Sequence, residues 1–212
     1  MQVAILAFDG ITALDAVGPY EVLSAFPGAD VRFVAGEPGP KRTERGTLAL
    51  VADHALNDVP APDVLLVPGG RGNRVLMEDA PTLEWIRSAH ETTRWTTSVC
   101  TGSLVLAAAG LLDGVDATTH WVFRDRLAEL GARPTPERVV QRGKIVTAAG
   151  VSAGIDMALQ LVQLEAGDDV AQAIQLGIEY DPQPPFDAGS PEKARPEIVD
   201  AVRAATGDAL TA

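Results

Sequence analysis

Apolar positions along this chain follow two different periodicities. Runs of β-branched and apolar residues at 2–8, 30–35, 63–67 and 96–99 predict buried strands, since strands covered on both faces are apolar nearly throughout. Between these runs the apolar residues recur every three or four positions, as on one face of a helix. Such helices are predicted at about 15–26, 79–90, 100–110, 122–130, from 152 and at 168–180. The alternation predicts a doubly wound α/β structure with a mostly parallel sheet.

Three segments depart from this simple alternation. Residues 36–46 are rich in glycine, proline and charge, and predict a surface turn before a strand at 47–51. Residues 117–121 predict a short strand that hands over to the next helix. Residues 139–147 predict a hairpin, because two β-branched runs flank an Arg-Gly-Lys turn. We find no chemistry in these segments apart from the histidine at the end of the second one.

The end of the chain has a different character. Residues 181–195 are rich in proline, which lacks the N–H that a helix needs, so we expect an extended arm there. Residues 196–206 predict a closing helix. No repeat or change of composition divides the chain, and we therefore expect residues 1–212 to form a single domain.

The only cysteine stands where a strand pattern changes into a helix pattern. Residues 96–99 favour a strand and the apolar residues from Leu104 follow helical spacing, so Cys100 lies at a strand-to-helix turn. This turn resembles the nucleophile elbow of hydrolases, with Gly102 allowing two backbones to approach closely. The dipole of a helix N-terminus lowers the pKa of a thiol, which makes Cys100 a candidate nucleophile. The alternative is a small buried hydrophobic residue, the commoner role of a lone cysteine.

Four other residues are candidates for roles near this turn. Gly69 and Gly70 follow the predicted strand 63–67, and open α/β sheets bind ligands outside the carboxyl ends of their strands. The alternative for this pair is a tight turn. His120 is either close to the thiol or a hydrogen-bonded structural residue. Asp15 is placed to cap the first helix, which is its simplest role.

Composition excludes several classes of protein. A formal charge of −12 opposes binding to nucleic acids or anionic membranes, and no apolar run approaches the ~18 residues of a membrane helix. One cysteine excludes an intrachain disulfide, and three scattered histidines indicate no metal site. The first residues lack the basic flank and cleavage site of a signal peptide, so we expect a cytoplasmic protein. Small neutral substrates or protein partners suit such a chain.

Several motifs resemble the PfpI superfamily, which has the fold of the class I glutamine amidotransferases. These motifs are Val67-Pro68-Gly69-Gly70, Ser98-Val99-Cys100-Thr101-Gly102 and Thr118-Thr119-His120-Trp121. The greatest similarity, to the isocyanide hydratases, lies in Leu14-Asp15-Ala16-Val17-Gly18-Pro19, in 98–106, in Glu179-Tyr180 and in 184–191. The resemblance covers nearly the whole chain. It implies a flavodoxin-like α/β fold, with a mostly parallel sheet sandwiched by helices.

The same resemblance implies roles for the candidate residues. Cys100 would attack the terminal carbon of an isocyanide to form a thioimidate, Asp15 would deliver the proton, and Thr101 would orient substrate or water. The substrate would be surrounded by Gly69, Gly70 and His120. The product would be an N-substituted formamide, formed without a metal or other cofactor. The resemblance extends through the proline-rich arm and implies a homodimer.

Other branches of the superfamily suggest alternative functions. A cysteine-oxidation sensor or a ligand-binding regulator would use the same thiol, with Asp15 stabilising the oxidised sulfur. Glyoxalase-like relatives carry glutamate in place of Asp15, and protease-like relatives carry histidine in place of Thr101, so neither activity fits as well. Amidase-like chemistry at the elbow is a further alternative. Related regulators add a helix-turn-helix module, whereas this acidic chain has no basic recognition helix.

Overall fold

Apolar strands form the centre of the molecule, and helices cover both faces of the sheet that they build. The computed structural model describes residues 1–207. The strands are β1 (Gln2–Leu6), β2 (Asp30–Ala35), β3 (Gly39–Arg42), β4 (Ala49–Ala52), β5 (His54–Ala55), β6 (Val64–Val67), β7 (Trp95–Val99), β8 (Asp116–Ala117), β9 (Arg133–Pro134), β10 (Val139–Arg142) and β11 (Ile145–Ala148). The helices are α1 (Ala13–Ser24), α2 (Asn73–Leu76), α3 (Ala80–Thr92), α4 (Gly102–Ala108), α5 (Arg124–Glu129), α6 (Ala153–Ala166), α7 (Asp168–Gly177) and α8 (Pro196–Gly207).

Seven strands form one sheet in the order β10-β11-β7-β6-β1-β2-β5. All neighbouring strands are parallel except β10 and β11, which form the predicted hairpin. The chain crosses the sheet in one direction from β1 to β2 and in the other from β6 to β7, so right-handed connections place α1 and α3 on opposite faces. Helix α1 packs against α6, and α3 packs against α4. The predicted α/β sandwich is confirmed.

Strand register brings the candidate residues to one edge of the sheet. Val67 at the end of β6 pairs with Ser98 of β7, so Gly69 and Cys100, each two residues further on, emerge side by side. Strands β1 and β6 are neighbours from which the chain departs in opposite directions, and sheets of this kind bind ligands at such a reversal. The loop after β1 joins the same edge through an isolated bridge to the loop after β6.

The core that holds this edge consists of large apolar side chains on both faces of the sheet. Ile5, Leu65 and Leu66 from the central strands are fully buried. Helices on the two sides contribute Leu23 from α1 and Leu104 from α4, both without exposed surface. Burying each such side chain favours folding by about 1.5–3 kcal/mol, so the strand ends are held on a rigid base.

Two predictions for the segment before β6 are wrong in detail. Residues 39–42, predicted as part of a surface turn, form β3, which pairs antiparallel with β4. The polar composition of the segment is compatible with a strand, because β3 and β4 form a separate two-stranded sheet in which side chains of β3 are exposed to solvent. Strand β4 spans Ala49–Ala52 and not 47–51. Glycine and proline mark the turns of such a ribbon but do not exclude a strand between them.

Two further boundaries and one short helix differ from the prediction. The strand predicted at 117–121 ends at Ala117, and residues Trp121–Phe123 form a turn of 3₁₀ helix that precedes α5. Helix α7 ends at Gly177 and not near 180. Helix α2 was not predicted, because one turn of helix shows no periodicity in the sequence.

The end of the described chain is open and lightly packed. Residues 181–195 contain no helix or strand, and α8 follows them. Residues 208–212, which we assigned to the same domain, lie outside the described residues, and the single-domain organisation stays a prediction. Within residues 1–207, no helix combines the length and the apolar character needed to cross a membrane.

Candidate active site

Cys100 has a strained backbone that its neighbours hold in place. Its φ is 56°, in the left-handed region that residues other than glycine rarely adopt. Its N–H donates to the carbonyls of Ala148 and Ala149 at 3.1 and 2.9 Å. Its carbonyl accepts hydrogen bonds from Ser103 Oγ at 3.2 Å and Thr119 Oγ1 at 3.0 Å. The strain costs on the order of 1–3 kcal/mol, and these bonds offset it. The predicted strand-to-helix elbow is therefore confirmed.

Two glycines allow the loops around the cysteine to come together. A Cβ atom on Gly102 would collide with the carbonyl oxygen of Val67, which confirms the close approach predicted there. A Cβ atom on Gly69 would lie 2.6 Å from Asp15 Oδ2 and 2.8 Å from Cys100 Cβ. Both distances are shorter than van der Waals contact, so only glycine fits at these positions.

Asp15 faces the cysteine and does not cap α1. Thr12 occupies the N-cap position, and Asp15 lies within the first turn, where its side chain is fully buried. Its Oδ2 accepts the N–H of Gly69 at 2.8 Å, and the carboxyl group also hydrogen bonds to the Cys100 side chain. The capping prediction is wrong, because the carboxyl group reaches across to the loop after β6 instead of returning to its own helix.

Burial makes the Asp15 carboxyl group a weak acid. Loss of hydration raises its pKa to about 8, and the negative charge of Glu44 acts in the same direction. Hydrogen bonds from Gly69 and Cys100 oppose this shift but do not cancel it. Oδ1 is buried and has no hydrogen-bond partner among the described residues, so little stabilises a second charged oxygen. Asp15 is therefore a protonated acid at neutral pH.

Burial also determines the state of the thiol. It raises the pKa of Cys100 well above its usual range, and the charge of Asp15 adds to the effect. The backbone N–H groups of Thr101 and Val151 hydrogen bond to the sulfur and oppose the rise. The lowered pKa predicted from the helix N-terminus is wrong in direction, because α4 is only seven residues long and desolvation outweighs it. The cysteine and the acid both hold protons, so the resting site is neutral.

Thr101 is fixed by two donors. The N–H of Gly70 and Nδ2 of Asn73 each donate to its Oγ1 at 3.0 Å. Both bonds use the oxygen as acceptor, which leaves the Thr101 hydroxyl hydrogen available for a molecule in the pocket. The N–H groups of Gly69 and Gly70 thus donate to Asp15 Oδ2 and Thr101 Oγ1, respectively. Asn73 was missed because it lies in the unpredicted α2.

His120 lies in the wall of the same pocket and is neutral. Burial, with the nearby Arg124 charge, lowers its pKa. Its Nδ1 accepts the N–H of Val122 at 3.4 Å, which places the ring proton on Nε2. A Cβ atom on Gly150 would lie 2.8 Å from His120 Cδ2, so the ring packs closely on that glycine. His120 and Cys100 line the same cavity, and His120 also makes a structural hydrogen bond, so both roles considered from the sequence apply to it.

The pocket above the cysteine has a volume of about 350 Å³ and a mixed lining. Its polar residues include Thr12, Glu44, Arg45 and Arg71. Phe123, Val151, Ala205 and Thr206 also line it. None of these was singled out from the sequence, because no motif marks residues that come from distant loops and from α8. Among residues 1–207, no three His, Cys, Asp or Glu side chains are grouped as they would be to hold a metal ion.

A strained cysteine at the carboxyl edge of a parallel sheet, with a buried acid beside it, defines an α/β protein of the cysteine nucleophile-elbow class. The sequence model of the DJ-1/PfpI family matches residues 1–164, and the chain belongs to this family. The predicted superfamily is therefore confirmed.

Two relatives match almost the whole chain. The isonitrile hydratase of Pseudomonas putida is 48% identical over 203 residues, which cover 96% of this chain and 89% of that protein. The crystal structure of a THiJ/PfpI family protein from Pseudomonas syringae superposes with a TM-score of 0.95 at 38% identity, covering 99% of this chain and 87% of that one.

A third relative is a regulator of transcription. The HTH-type transcriptional regulator CdhR of Pseudomonas aeruginosa is 32% identical over 165 residues, which cover 74% of this chain. They cover only 48% of the regulator, so the similarity concerns about half of that protein.

Proposed function

We propose that this protein hydrates isocyanides to N-substituted formamides, with Cys100 as nucleophile and Asp15 as proton donor. The observation that carries the proposal is the pairing of a thiol with a carboxylic acid whose pKa is raised to about 8. A neutral site of this kind suits an uncharged electrophile that must gain a proton on carbon. The similarity to the P. putida isonitrile hydratase supports the same reaction.

In the first step the Cys100 sulfur forms a bond to the terminal isocyanide carbon. Asp15 gives its proton to that carbon and receives the proton of the thiol, so that S–H adds across one carbon atom. The product of this step is a covalent thioimidate, and Asp15 is again protonated. The N–H groups of Thr101 and Val151, which hydrogen bond to the sulfur, stabilise negative charge that develops on it during attack.

In the second step water adds to the thioimidate carbon. The C=N electron pair moves to nitrogen, which takes a proton, while the water gives one up. The C–S bond then breaks, the hydroxyl proton returns to sulfur, and the formamide leaves. The free hydrogen of the Thr101 hydroxyl is a suitable donor to the nitrogen or a guide for the water. Gly70 and Asn73 would act by holding that hydroxyl, and Gly69 by holding Asp15.

The decisive experiment is incubation of the purified protein with an aryl isocyanide, with formamide measured by chromatography. Acid quenching during turnover should reveal by mass spectrometry a protein adduct heavier by the mass of the isocyanide. Cys100→Ala should give neither product nor adduct. Formamide formation by wild type no faster than by Cys100→Ala would overturn the proposal.

An oxidation sensor is the main alternative. Oxidation to sulfenic acid and nucleophilic attack both require thiolate character, so the raised pKa of Cys100 does not distinguish the two functions. The similarity to the P. putida isonitrile hydratase favours hydration. The similarity to CdhR is compatible with a ligand-binding role, but this similarity covers only part of that regulator. Mild peroxide treatment followed by mass spectrometry separates the functions, because oxidation without any isocyanide turnover would favour the sensor. The glyoxalase and amidase alternatives, the homodimer, the absence of a cofactor and the cytoplasmic location stay predictions.

A further inference from the structure

The last turn of α8 forms part of the pocket that contains Cys100. Ala205 and Thr206 line this pocket, although they lie far from the cysteine in the chain. Helix α8 packs against the 3₁₀ turn Trp121–Phe123, and Phe123 is itself a lining residue. One wall of the pocket is therefore built by two elements, the 3₁₀ turn and the end of α8.

Helix α8 contributes little to the core. None of the side chains at 196–206 is fully buried, and its apolar residues Ile198 and Val202 are 42% and 39% exposed. One attachment is a cation–π contact in which Arg203 Cζ lies 5.6 Å from the centre of the Trp121 ring. Such a contact is worth about 0.5–1 kcal/mol at an exposed site. Substitutions at the end of α8 should therefore change the pocket without unfolding the protein.

The geometry of an isocyanide connects this wall to the choice of substrate. The C–N≡C unit is linear, so a substrate whose terminal carbon touches the sulfur projects its substituent straight away from Cys100. The substituent therefore passes along the walls of the same cavity, whose volume is about 350 Å³. Phe123, Val151 and Ala205 offer it apolar surface, and alanine at 205 is the smallest of the three.

We propose that Ala205 and Thr206 limit the size of the substituent, so that the site accepts isocyanides with compact apolar groups. This inference rests on the proposed hydration of isocyanides. Ala205 is the position to test, because a larger residue there would extend from the wall into the space of the substituent. Adjacent Ala204 is exposed, as Ala205 is, but it does not line the pocket, which makes it a matched control.

The test compares Ala205→Leu with Ala204→Leu on methyl isocyanide and 2,6-dimethylphenyl isocyanide. In Ala205→Leu, kcat/KM for the aryl substrate should fall at least about tenfold more than for the methyl substrate, a range typical of added methylenes in a pocket. Ala204→Leu should keep the wild-type ratio. Equal losses on both substrates in Ala205→Leu, or the same change of ratio in Ala204→Leu, would overturn the inference.

A second measurement separates this inference from the proposed function. Cys100 is the only cysteine of the chain, so alkylation of the whole protein reports access to the site. Ala205→Leu should slow labelling by N-phenylmaleimide more than labelling by iodoacetamide, whereas Ala204→Leu should not. If wild type hydrates no isocyanide, the proposed function fails while this ratio still decides whether α8 limits access. If the ratio of the two labelling rates is unchanged in Ala205→Leu, the inference that Ala205 limits access to Cys100 is wrong.

Discussion

The carboxyl group of Asp15 shares a hydrogen bond with the side chain of Cys100, although the two residues belong to different loops and helices. A charged Asp15 raises the pKa of Cys100, whereas the hydrogen bond from Cys100 lowers the pKa of Asp15; burial raises the pKa of both groups and is the largest effect on each. The N–H of Gly69 donates to Asp15 Oδ2 at 2.8 Å and holds the carboxyl group in this position. The chemistry of the site therefore depends on the proton that Asp15 holds beside the sulfur.

Replacing Asp15 by asparagine should abolish turnover with little effect on the fold. An asparagine oxygen still accepts the N–H of Gly69, but an amide does not supply a proton as a carboxylic acid does. We expect a loss of at least about 10²-fold in kcat, within the range for general acid–base catalysis. Asp15→Glu keeps the acid but displaces it, and should retain intermediate activity. A near-wild-type rate for Asp15→Asn would show that the proton comes from another group.

Asp15 should also make stability depend on pH. Its folded pKa of about 8 lies above the ordinary pKa of an aspartic acid, 3.8, so the folded state keeps a proton that the unfolded state loses. Stability from this group is complete below pH 4 and declines as pH rises toward 8. Relative to wild type, Asp15→Asn should gain on the order of a few kcal/mol in unfolding free energy between pH 5 and 7.5. Urea unfolding of both proteins at pH 5 and pH 7.5 measures this change. If the unfolding free energies of wild type and Asp15→Asn changed equally between the two pH values, the raised pKa would be contradicted.

Glu44 should tune the acid at the site. Its negative charge contributes to the raised pKa of Asp15, so Glu44→Gln should lower that pKa. Because Asp15 must be protonated to act, the alkaline fall of activity should move to lower pH in this variant. Glu37→Gln removes an exposed acid outside the pocket and is the matched control. A profile of kcat against pH that stays in place in Glu44→Gln would exclude this coupling.

Gly69→Ala should be damaging because the added methyl group has no space. It would lie 2.6 Å from Asp15 Oδ2 and 2.8 Å from Cys100 Cβ. Overpacking of this kind typically costs about 1–3 kcal/mol, and here it would also separate the acid from the thiol. Gly36→Ala meets nothing within 4 Å and serves as control. The thermal unfolding temperature and the turnover rate should both fall in Gly69→Ala and not in Gly36→Ala. Wild-type values in Gly69→Ala would mean that the loops around the cysteine separate easily.

We expect a homodimer that uses the arm at 181–195. Phe186 in this arm is 78% exposed, which leaves a large aromatic side chain without a core to cover it. Sedimentation should give twice the chain mass, and Phe186→Asp should shift the population toward monomer. A monomeric wild type would refute the dimer, whereas a dimer unaffected by Phe186→Asp would place the interface elsewhere.

The local sequence was sufficient to predict the elbow at Cys100 and most strands of the sheet. A β-branched run that changes to helical spacing at Cys100 predicts a strand, a turn and a helix, because both periodicities are properties of short segments. The glycines were recognisable for the same reason, since Gly102 stands within the turn whose close approach it permits. Motif resemblance added the proposed chemical roles of Asp15 and Thr101, which the spacing of residues in the sequence does not supply.

The remaining features depend on contacts between distant segments. Sequence suggested a cap for Asp15 and a lowered pKa for Cys100, but burial beside the loop after β6 reversed both expectations. Asn73 behind Thr101 and Ala205 in the pocket wall come from segments without any motif. Desolvation, strand register and the packing of α8 depend on the whole fold, because each arises from atoms that approach only when the chain is folded. The sequence determines the type of each residue, but the tertiary structure determines the dielectric around a side chain and its hydrogen-bond partners, and therefore its pKa.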